Sequence, residues 1–205
     1  MIMAQVEAVV FDVGNVLVRW DRRLPFVDRF ADPAELDRFL DEVIPLSWHA
    51  EHDAGRPAAE MVAERSALYP DHASLIADWF GRFNESIPGS VPGSPELVEG
   101  LHARGVPLYA ITNFGADTWA GFAPTFLLKD RFIDIVVSGV EKLAKPDAAI
   151  YALAEQRFAR RPETLLFVDD SQPNVDAARA RGWHGHHFTD AGGLERELQR
   201  HGLLD

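Results

Sequence analysis

Short apolar runs alternate with helical patterns through the second half of the chain, and this alternation limits the fold more than any other feature of the sequence. Apolar runs typical of strands lie at residues 6–11, 106–111, 134–138, 164–168 and 183–188. Helical patterns lie at residues 94–104, 148–158, 173–182 and 191–201. Strands that alternate with helices form a parallel sheet with helices on both faces, so we predict an α/β fold.

A block of helical patterns separates the first strand from the others. Apolar residues recur at the helical period in residues 32–44, 58–69 and 72–83. The stretch 86–96 is rich in Gly, Pro and Ser, which is typical of a linker that returns to the sheet. We therefore predict a Rossmann-like core made of residues 1–18 and 90–205, and a helical cap inserted at residues 19–89.

The composition excludes several classes of function. The 205 residues carry 32 acidic and 20 basic side chains, a net charge of −12, and an acidic surface repels nucleic acid. The absence of cysteine excludes disulfides, thiolate catalysis and cysteine-based zinc sites. No apolar run approaches the roughly 20 residues that span a bilayer. The first residues lack the basic segment of a signal peptide. We expect a cytoplasmic protein without nucleic-acid or membrane partners.

Residues that can do chemistry follow the predicted strands. They are Asp12, Thr112, Asn113, Lys145, Asp169 and Asp170. In open α/β sheets the ligand site lies beyond the carboxyl ends of the strands. We therefore expect carboxylates, a hydroxyl and a lysine to meet in one pocket at this edge.

Four segments resemble the motifs of the haloacid-dehalogenase-like (HAD) hydrolase superfamily, in the family's order and spacing. They are FDVGNVLV (11–18), ITN (111–113), KLAKPDAAIY (142–151) and FVDDSQPNVDAA (167–178). The helical block lies where members with a small helical cap carry it. The pattern DxGN followed by DDSxxN is most similar to a subgroup that includes α-glucose-1-phosphatase. Four motifs in order are far more specific than any one of them.

The resemblance implies a Mg²⁺-dependent phosphatase that acts on a small phosphate monoester, with a sugar phosphate favoured. Asp12 would attack phosphorus and form an aspartyl-phosphate. The side chains of Asp12 and Asp170 and the backbone carbonyl of Gly14 would bind Mg²⁺, a hard cation that prefers oxygen ligands. Thr112 and Asn113 would donate hydrogen bonds to the phosphoryl oxygens.

Lys145 would bind substrate and neutralise charge on Asp12 and the transferred phosphoryl group. Neighbouring residues on a strand point to opposite faces. If Asp170 binds the metal, Asp169 is therefore expected to orient Lys145 or a metal-bound water. Asn174 would support the metal ligands from the following loop.

One position departs from the family's phosphatases. They usually carry a second aspartate two residues after the nucleophile, which protonates the leaving oxygen and later activates water. In this chain that residue is Gly14. General acid–base catalysis typically contributes about 10²–10⁴-fold, so a substitute is expected in the cap, in a metal-bound water or in the substrate.

The cap offers three candidates for this substitute: His49, His52 and Asp53. Its tryptophans are expected mainly to pack in the core. Trp20 and Trp48, near the junction with the core and beside the histidines, are the best candidates for a substrate wall.

Two other functions stay open at the level of sequence. A 2-haloacid dehalogenase uses the same nucleophile without a metal, although the pair Asp169-Asp170 favours a cation site. Gly14 is also compatible with a catalytically degenerate protein that binds a phosphometabolite or a partner protein. We expect a small phosphorylated metabolite as ligand and leave a homodimer open.

Overall fold

A five-stranded parallel sheet forms the centre of the computed structural model, which describes residues 5–205. Residues 1–4 of the predicted core lie outside the described residues. The strands are β1 (Ala8–Phe11), β2 (Val18–Arg19), β3 (Gly89–Ser90), β4 (Leu108–Thr112), β5 (Asp134–Val137), β6 (Leu165–Asp169) and β7 (His184–His187). The sheet has the order β5-β4-β1-β6-β7, and every pairing in it is parallel. The predicted α/β fold is confirmed.

Helices account for most of the remaining structure. They are α1 (Pro33–Arg38), α2 (Leu46–Asp53), α3 (Ala58–Leu68), α4 (Ala73–Gly81), α5 (Ser94–Ala103), α6 (Ala116–Phe122), α7 (Ser138–Glu141), α8 (Ala148–Phe158), α9 (Gln172–Ala180) and α10 (Ala191–Arg200). The pattern at 32–44 is α1 followed by wider π-helical turns over Phe39–Val43. None of the helices in residues 5–205 combines the length and the apolar character that crossing a lipid bilayer requires.

Hydrophobic layers cover both faces of the sheet. Val9 and Phe11 of β1 pack into the larger layer, which also contains residues from α5 and the helices before β3. Ala8 and Val10 pack into the other layer, against Tyr151 of α8. All four residues of β1 are fully buried. A central strand covered on both faces carries a continuous apolar run, and this explains the sequence of residues 6–11.

A short antiparallel ribbon connects the sheet to the helical insertion. Val18 of β2 pairs with Ser90 of β3, and Arg19 pairs with Gly89. The elements between these two strands are all helical. We propose this ribbon as the boundary between core and cap. The division between core and cap at residues 18–19 and 89–90 stays a prediction.

An aromatic cluster fills the interior of the cap. Phe26 lies between Phe39 and Trp79, with ring centroids 5.1 and 6.1 Å apart. Trp48 is buried against Phe80, 5.4 Å between centroids. Trp48 therefore packs within the cap.

Candidate active site

A cavity with several polar side chains lies between the carboxyl edge of the sheet and the cap. The core residues that line it include Asp12, Gly14, Thr112, Asn113, Lys145, Asp170 and Asn174. We call Asp12, Lys145, Asp169 and Asp170 the floor of the cavity; Asp169 is its deepest member and is fully buried. The structure thus brings every residue singled out in the core to this cavity or directly under it.

The pairing of β1 with β6 places the two aspartates of the floor. Phe11 is in register with Val168, and the backbone N–H of Asp12 donates to the Val168 carbonyl at 2.8 Å. Asp12 and Asp169, the next residues of the two strands, are therefore neighbours. The backbone of these two central strands fixes the position of the carboxylates.

Lys145 enters from the segment between α7 and α8 and lies between both carboxylates. Its Nζ is 2.9 Å from Asp12 Oδ1 and 2.7 Å from Asp169 Oδ2, and its side chain is 1% exposed. Burial lowers the pKa of an ammonium, but the charges of Asp12 and Asp169 outweigh it and raise the pKa of Lys145. The two carboxylates therefore favour the charged form of Lys145.

Both oxygens of the buried Asp169 carboxylate accept hydrogen bonds from other groups of the protein. Its carboxylate accepts hydrogen bonds from Lys145 Nζ, from the Ser171 N–H at 2.8 Å and from Asn174 Nδ2 at 3.0 Å. The amide of Asn174 therefore contacts Asp169. A fully bonded carboxylate of this kind holds its partners in place.

Asp12 keeps one oxygen available to the cavity. The Val13 N–H and Lys145 Nζ both lie on Oδ1, at 2.6 and 2.9 Å. Within residues 5–205, no protein group donates to Oδ2. Burial raises the pKa of Asp12 to about 7, an effect that Lys145 opposes and that Asp169 and Asp170 reinforce.

The floor carries more negative than positive charge. Carboxylate oxygens of Asp12, Asp169 and Asp170 lie within 4.8 Å of one another, and Lys145 is the cation between them. Burial and the charge of Asp169 raise the pKa of Asp170. Such a cluster of hard oxygen donors fits a divalent cation, which would offset the excess charge.

Thr112 and Asn113 follow β4 beside this floor. Thr112 is buried at the end of the strand. Asn113 Nδ2 donates to the Lys145 carbonyl, and the Lys145 N–H donates to Asn113 Oδ1, both at 2.9 Å. The Asn113 amide thus holds the segment that carries Lys145. A contact of Asn113 with a phosphoryl group stays a prediction.

The cap side of the cavity combines polar and aromatic groups. Trp20, His49, Asp53 and Phe83 line it. Trp20 stacks on His49 with centroids 5.6 Å apart. The indole N–H of Trp20 is buried and has no partner among the described residues. Trp20 thus places a buried, unsatisfied donor within the cavity wall.

The apolar part of the wall was not predicted from the sequence. Val18, Phe83, Ile87 and Phe114 contribute to it. In the sequence these residues have the same pattern as core residues, so no local signal separates a cavity wall from a hydrophobic interior. Only the gap between cap and sheet reveals them.

The protein therefore combines a parallel α/β sheet with two aspartates, at the ends of β1 and β6, that contact one buried lysine. This combination of fold and site defines a class of hydrolases with an α/β fold. The family model for haloacid dehalogenase-like hydrolases matches residues 6–182, and the chain belongs to this family. It is a hydrolase. The family predicted from the four motifs is thereby confirmed, whereas the glucose-1-phosphatase subgroup stays a resemblance.

The chain is similar in sequence and in structure to several known proteins. The chain is 25% identical to the sesquiterpene phosphatase astK of Aspergillus oryzae over 213 residues, 95% of each chain. The HAD family enzyme bt-2542 of Bacteroides thetaiotaomicron, solved with magnesium and inorganic phosphate, has 18% identity and a TM-score of 0.69, covering 90% of this chain and 95% of the other.

A second structurally similar protein is an enzyme with a different name and reaction, a dehalogenase. L-2-haloacid dehalogenase of Xanthobacter autotrophicus, with chloropropionic acid covalently bound, has a TM-score of 0.64 and 18% identity. The alignment covers 98% of this chain and 85% of that one. Identities this low show a shared fold alone, so the reaction must be argued from the residues of the site.

Proposed function

We propose that this hydrolase is a Mg²⁺-dependent phosphatase that cleaves a small phosphate monoester through an aspartyl-phosphate on Asp12. The contact between Asp12 Oδ1 and Lys145 carries this proposal. It fixes Oδ1 of the carboxylate and leaves Oδ2 without a protein donor among residues 5–205, so Oδ2 is the proposed attacking atom.

The donors around Asp12 fit Mg²⁺. Asp12 and Asp170 supply carboxylates, and Gly14, which also lines the cavity, would supply its backbone carbonyl. When bound, the ion would offset the repulsion between the anionic floor and a phosphate dianion. The magnesium and phosphate in the structurally similar Bacteroides enzyme support this assignment.

The residues of the floor have complementary tasks in the proposed reaction. Asp12 Oδ2 forms a bond to phosphorus while the bond to the leaving oxygen breaks. Lys145 stabilises the negative charge on the transferred group, and the Thr112 hydroxyl would donate to a phosphoryl oxygen. Asp169 and Asn113 hold Lys145 in position through its ammonium and its backbone.

The cavity wall bears on the substrate class. The motif resemblance favours a sugar phosphate, and the aromatic faces of Trp20, Phe83 and Phe114 can pack on the C–H faces of a sugar ring. The same wall suits an apolar leaving group. The similarity to a sesquiterpene phosphatase supports an isoprenoid monophosphate as the second candidate.

Phosphate release from a panel of esters with Mg²⁺ tests the proposal. The panel contains sugar phosphates, isoprenoid monophosphates, nucleotides and glycolytic phosphates. We expect turnover of at least one ester, its loss in Asp12→Asn and its retention in the matched surface variant Asp130→Asn. Full activity of Asp12→Asn would show that the mechanism is wrong.

The two alternatives have their own signatures in the same preparation. Halide release from 2-chloropropionate in the presence of a chelator would establish a dehalogenase. The oxygen cluster of Asp12, Asp169 and Asp170 argues against it, because it suits a cation that this reaction does not need. Thermal-shift binding of esters without any turnover would establish a binding protein.

A further inference from the structure

Position 14 leaves a gap in the proposed phosphatase chemistry. An alkoxide is a poor leaving group, so the departing oxygen needs a proton. Gly14 has no side chain to supply one, and a Cβ at this position would meet no heavy atom within 4 Å. The space into which a carboxyl group at residue 14 would project is therefore open cavity, and the titratable groups on the cavity wall are the protein's own candidates to carry the proton.

The cap provides the remaining titratable groups of the wall. Asp12 is the proposed nucleophile, Asp170 a proposed metal ligand, and Lys145 is paired with two carboxylates. His49 and Asp53 are the other titratable residues that line the cavity in the described part of the chain.

His49 is held as a neutral imidazole. Burial, with the nearby charges of His52 and Arg22, lowers its pKa to about 3. Trp79 Nε1, which can only donate, lies 3.3 Å from His49 Nδ1, so Nδ1 is the acceptor. The single proton of the ring is therefore on Nε2, 3.5 Å from Asp53 Oδ2. His49 directs this N–H at Asp53 and is a poor proton donor for a substrate.

His52 points away from the cavity. Its Nε2 lies 2.6 Å from Asp117 Oδ1 of α6. A Cβ at Gly115 would overlap the His52 ring, so the ring packs directly on the backbone of the core. His52 thus attaches the cap to the core and does not line the cavity.

Asp53 ends α2 at the cavity wall and is anchored to the core. The Ser138 hydroxyl donates to the Asp53 carbonyl at 2.5 Å and itself accepts from the Phe114 N–H at 2.9 Å. The Asp53 side chain is 14% exposed. These bonds fix the backbone at the end of α2 relative to the core, and the Asp53 carboxyl group lies between His49 Nε2, 3.5 Å from its Oδ2, and the Gly115 N–H.

The surroundings of Asp53 favour a proton that can be given and taken. Burial raises the pKa of Asp53 to about 7, against the opposing effects of the charges of His52 and Lys145 and the Gly115 N–H. His49, also in contact, is neutral. An acid–base catalyst is most efficient when its pKa lies near the working pH.

We propose that Asp53 is the general acid and base that replaces the missing carboxylate at position 14. In the first step Asp12 bonds to phosphorus, the ester P–O bond breaks, and the Asp53 proton passes to the leaving oxygen, which departs as an alcohol. In the second step the Asp53 carboxylate takes a proton from a water molecule whose oxygen attacks phosphorus. The bond between phosphorus and the Asp12 oxygen breaks, so that Asp12 is again a carboxylate, inorganic phosphate leaves, and Asp53 is protonated again. This inference rests on the proposed phosphatase function.

Leaving groups of different basicity distinguish the role of Asp53 as an acid in the first step from its role as a base in the second. Nitrophenolate departs without a proton, whereas an alkoxide needs one. In single turnovers of Asp53→Asn, we expect nitrophenolate release from 4-nitrophenyl phosphate to stay within about threefold of the unchanged chain, with slow later turnovers. Alcohol release from the best alkyl phosphate of the panel should fall about 10²–10⁴-fold.

Two further variants make the test specific. Gly14→Asp in the Asp53→Asn background should restore alcohol release, because the new carboxyl group would enter open cavity. Asp117→Asn weakens a different cap–core contact, the one with His52 outside the cavity, and should leave the ratio of the two release rates unchanged. Melting temperatures establish that each variant is folded.

The outcomes distinguish this inference from the proposed function. If Asp12→Asn abolishes turnover but Asp53→Asn slows both leaving groups equally, or neither, the role of Asp53 is wrong and the phosphatase stands. If the unchanged chain hydrolyses no ester, both fall together.

Discussion

Lys145 Nζ lies 2.9 Å from Asp12 Oδ1, and its side chain is almost completely buried. The same ammonium holds Asp169 from the other side at 2.7 Å. This buried triad joins the ends of β1 and β6, so we expect both the stability and the proposed chemistry to depend on Lys145.

Replacing that lysine should damage both properties. Lys145→Met leaves two buried carboxylates without their cation, and breaking a buried pair costs about 3–5 kcal/mol. Loss of one preorganised electrostatic group typically lowers kcat about 10²–10³-fold. Melting temperature and kcat measure the two effects. The matched control Lys129→Met alters an exposed lysine and should change neither. A fully active Lys145→Met would contradict the assigned role.

Loss of the amide that holds the lysine segment should have a smaller effect on the same reaction. Asn113→Ala removes both hydrogen bonds to the Lys145 backbone. Each such bond contributes about 0.5–1.5 kcal/mol, so we expect kcat to fall roughly tenfold. Asn113→Asp, which keeps only the acceptor, should be intermediate. An unchanged kcat in Asn113→Ala would show that the segment does not need this support.

Magnesium should stabilise the folded protein through Asp170. A ligand that binds only the folded state raises the melting temperature with its concentration. We expect such a rise for Mg²⁺ with the unchanged chain and little rise for Asp170→Asn. Asp176→Asn, an exposed neighbour on α9, serves as the matched control. An equal Mg²⁺ response in Asp170→Asn would place the ion elsewhere.

The buried Asp53 carboxyl should make stability depend on pH in a defined direction. Its pKa is raised to about 7 in the folded protein, whereas the unfolded value is near 3.9. The folded state binds the proton more tightly. The stabilisation is therefore complete below about pH 4 and is lost as the pH rises to about 7.

Asp53→Asn cannot lose this proton. Its melting temperature relative to the unchanged chain should rise between about pH 4 and pH 8, by several degrees in total. Asp117→Asn is the matched control, since Asp117 is largely exposed. A difference that stays constant with pH would show that the Asp53 carboxyl is ionised at neutral pH.

The unpartnered indole of Trp20 should discriminate between substrates. Trp20→Phe keeps an aromatic ring against His49 but removes the N–H. If this donor binds a hydroxyl of the leaving group, KM should rise about fivefold to tenfold for sugar phosphates. It should change little for isoprenoid phosphates, which have no hydroxyl there. Equal changes for both classes would assign Trp20 to packing alone.

Much of the core could be predicted because its chemistry is local. The strands combine short apolar runs with polar residues at their carboxyl ends, and their parallel direction follows from the alternation with helices. Asp12 and Asp170 could therefore be placed at one edge before any coordinates were known. The contact of Asp169 with Lys145 is one of the two alternatives that the alternation of side chains along a strand had left open.

The cap could not be predicted to the same depth. Helix α2 has no apolar period, because its buried face includes His49 and His52. The clamp between Asn113 and Lys145 joins residues 32 positions apart, and no spacing rule indicates it. The burial of Asp53 depends on contacts with α7 and the Gly115 segment, which only the folded chain brings together.

The central claim is that Asp12 carries the phosphoryl group, and a mass measurement tests it most directly. The protein is mixed with Mg²⁺ and its best ester, quenched in acid during turnover and digested. We predict that the peptide containing Asp12 gains the mass of one phosphoryl group, and that the Asp12→Asn peptide does not. Turnover with an unmodified Asp12 peptide, or with the phosphoryl group on another residue, would contradict the account.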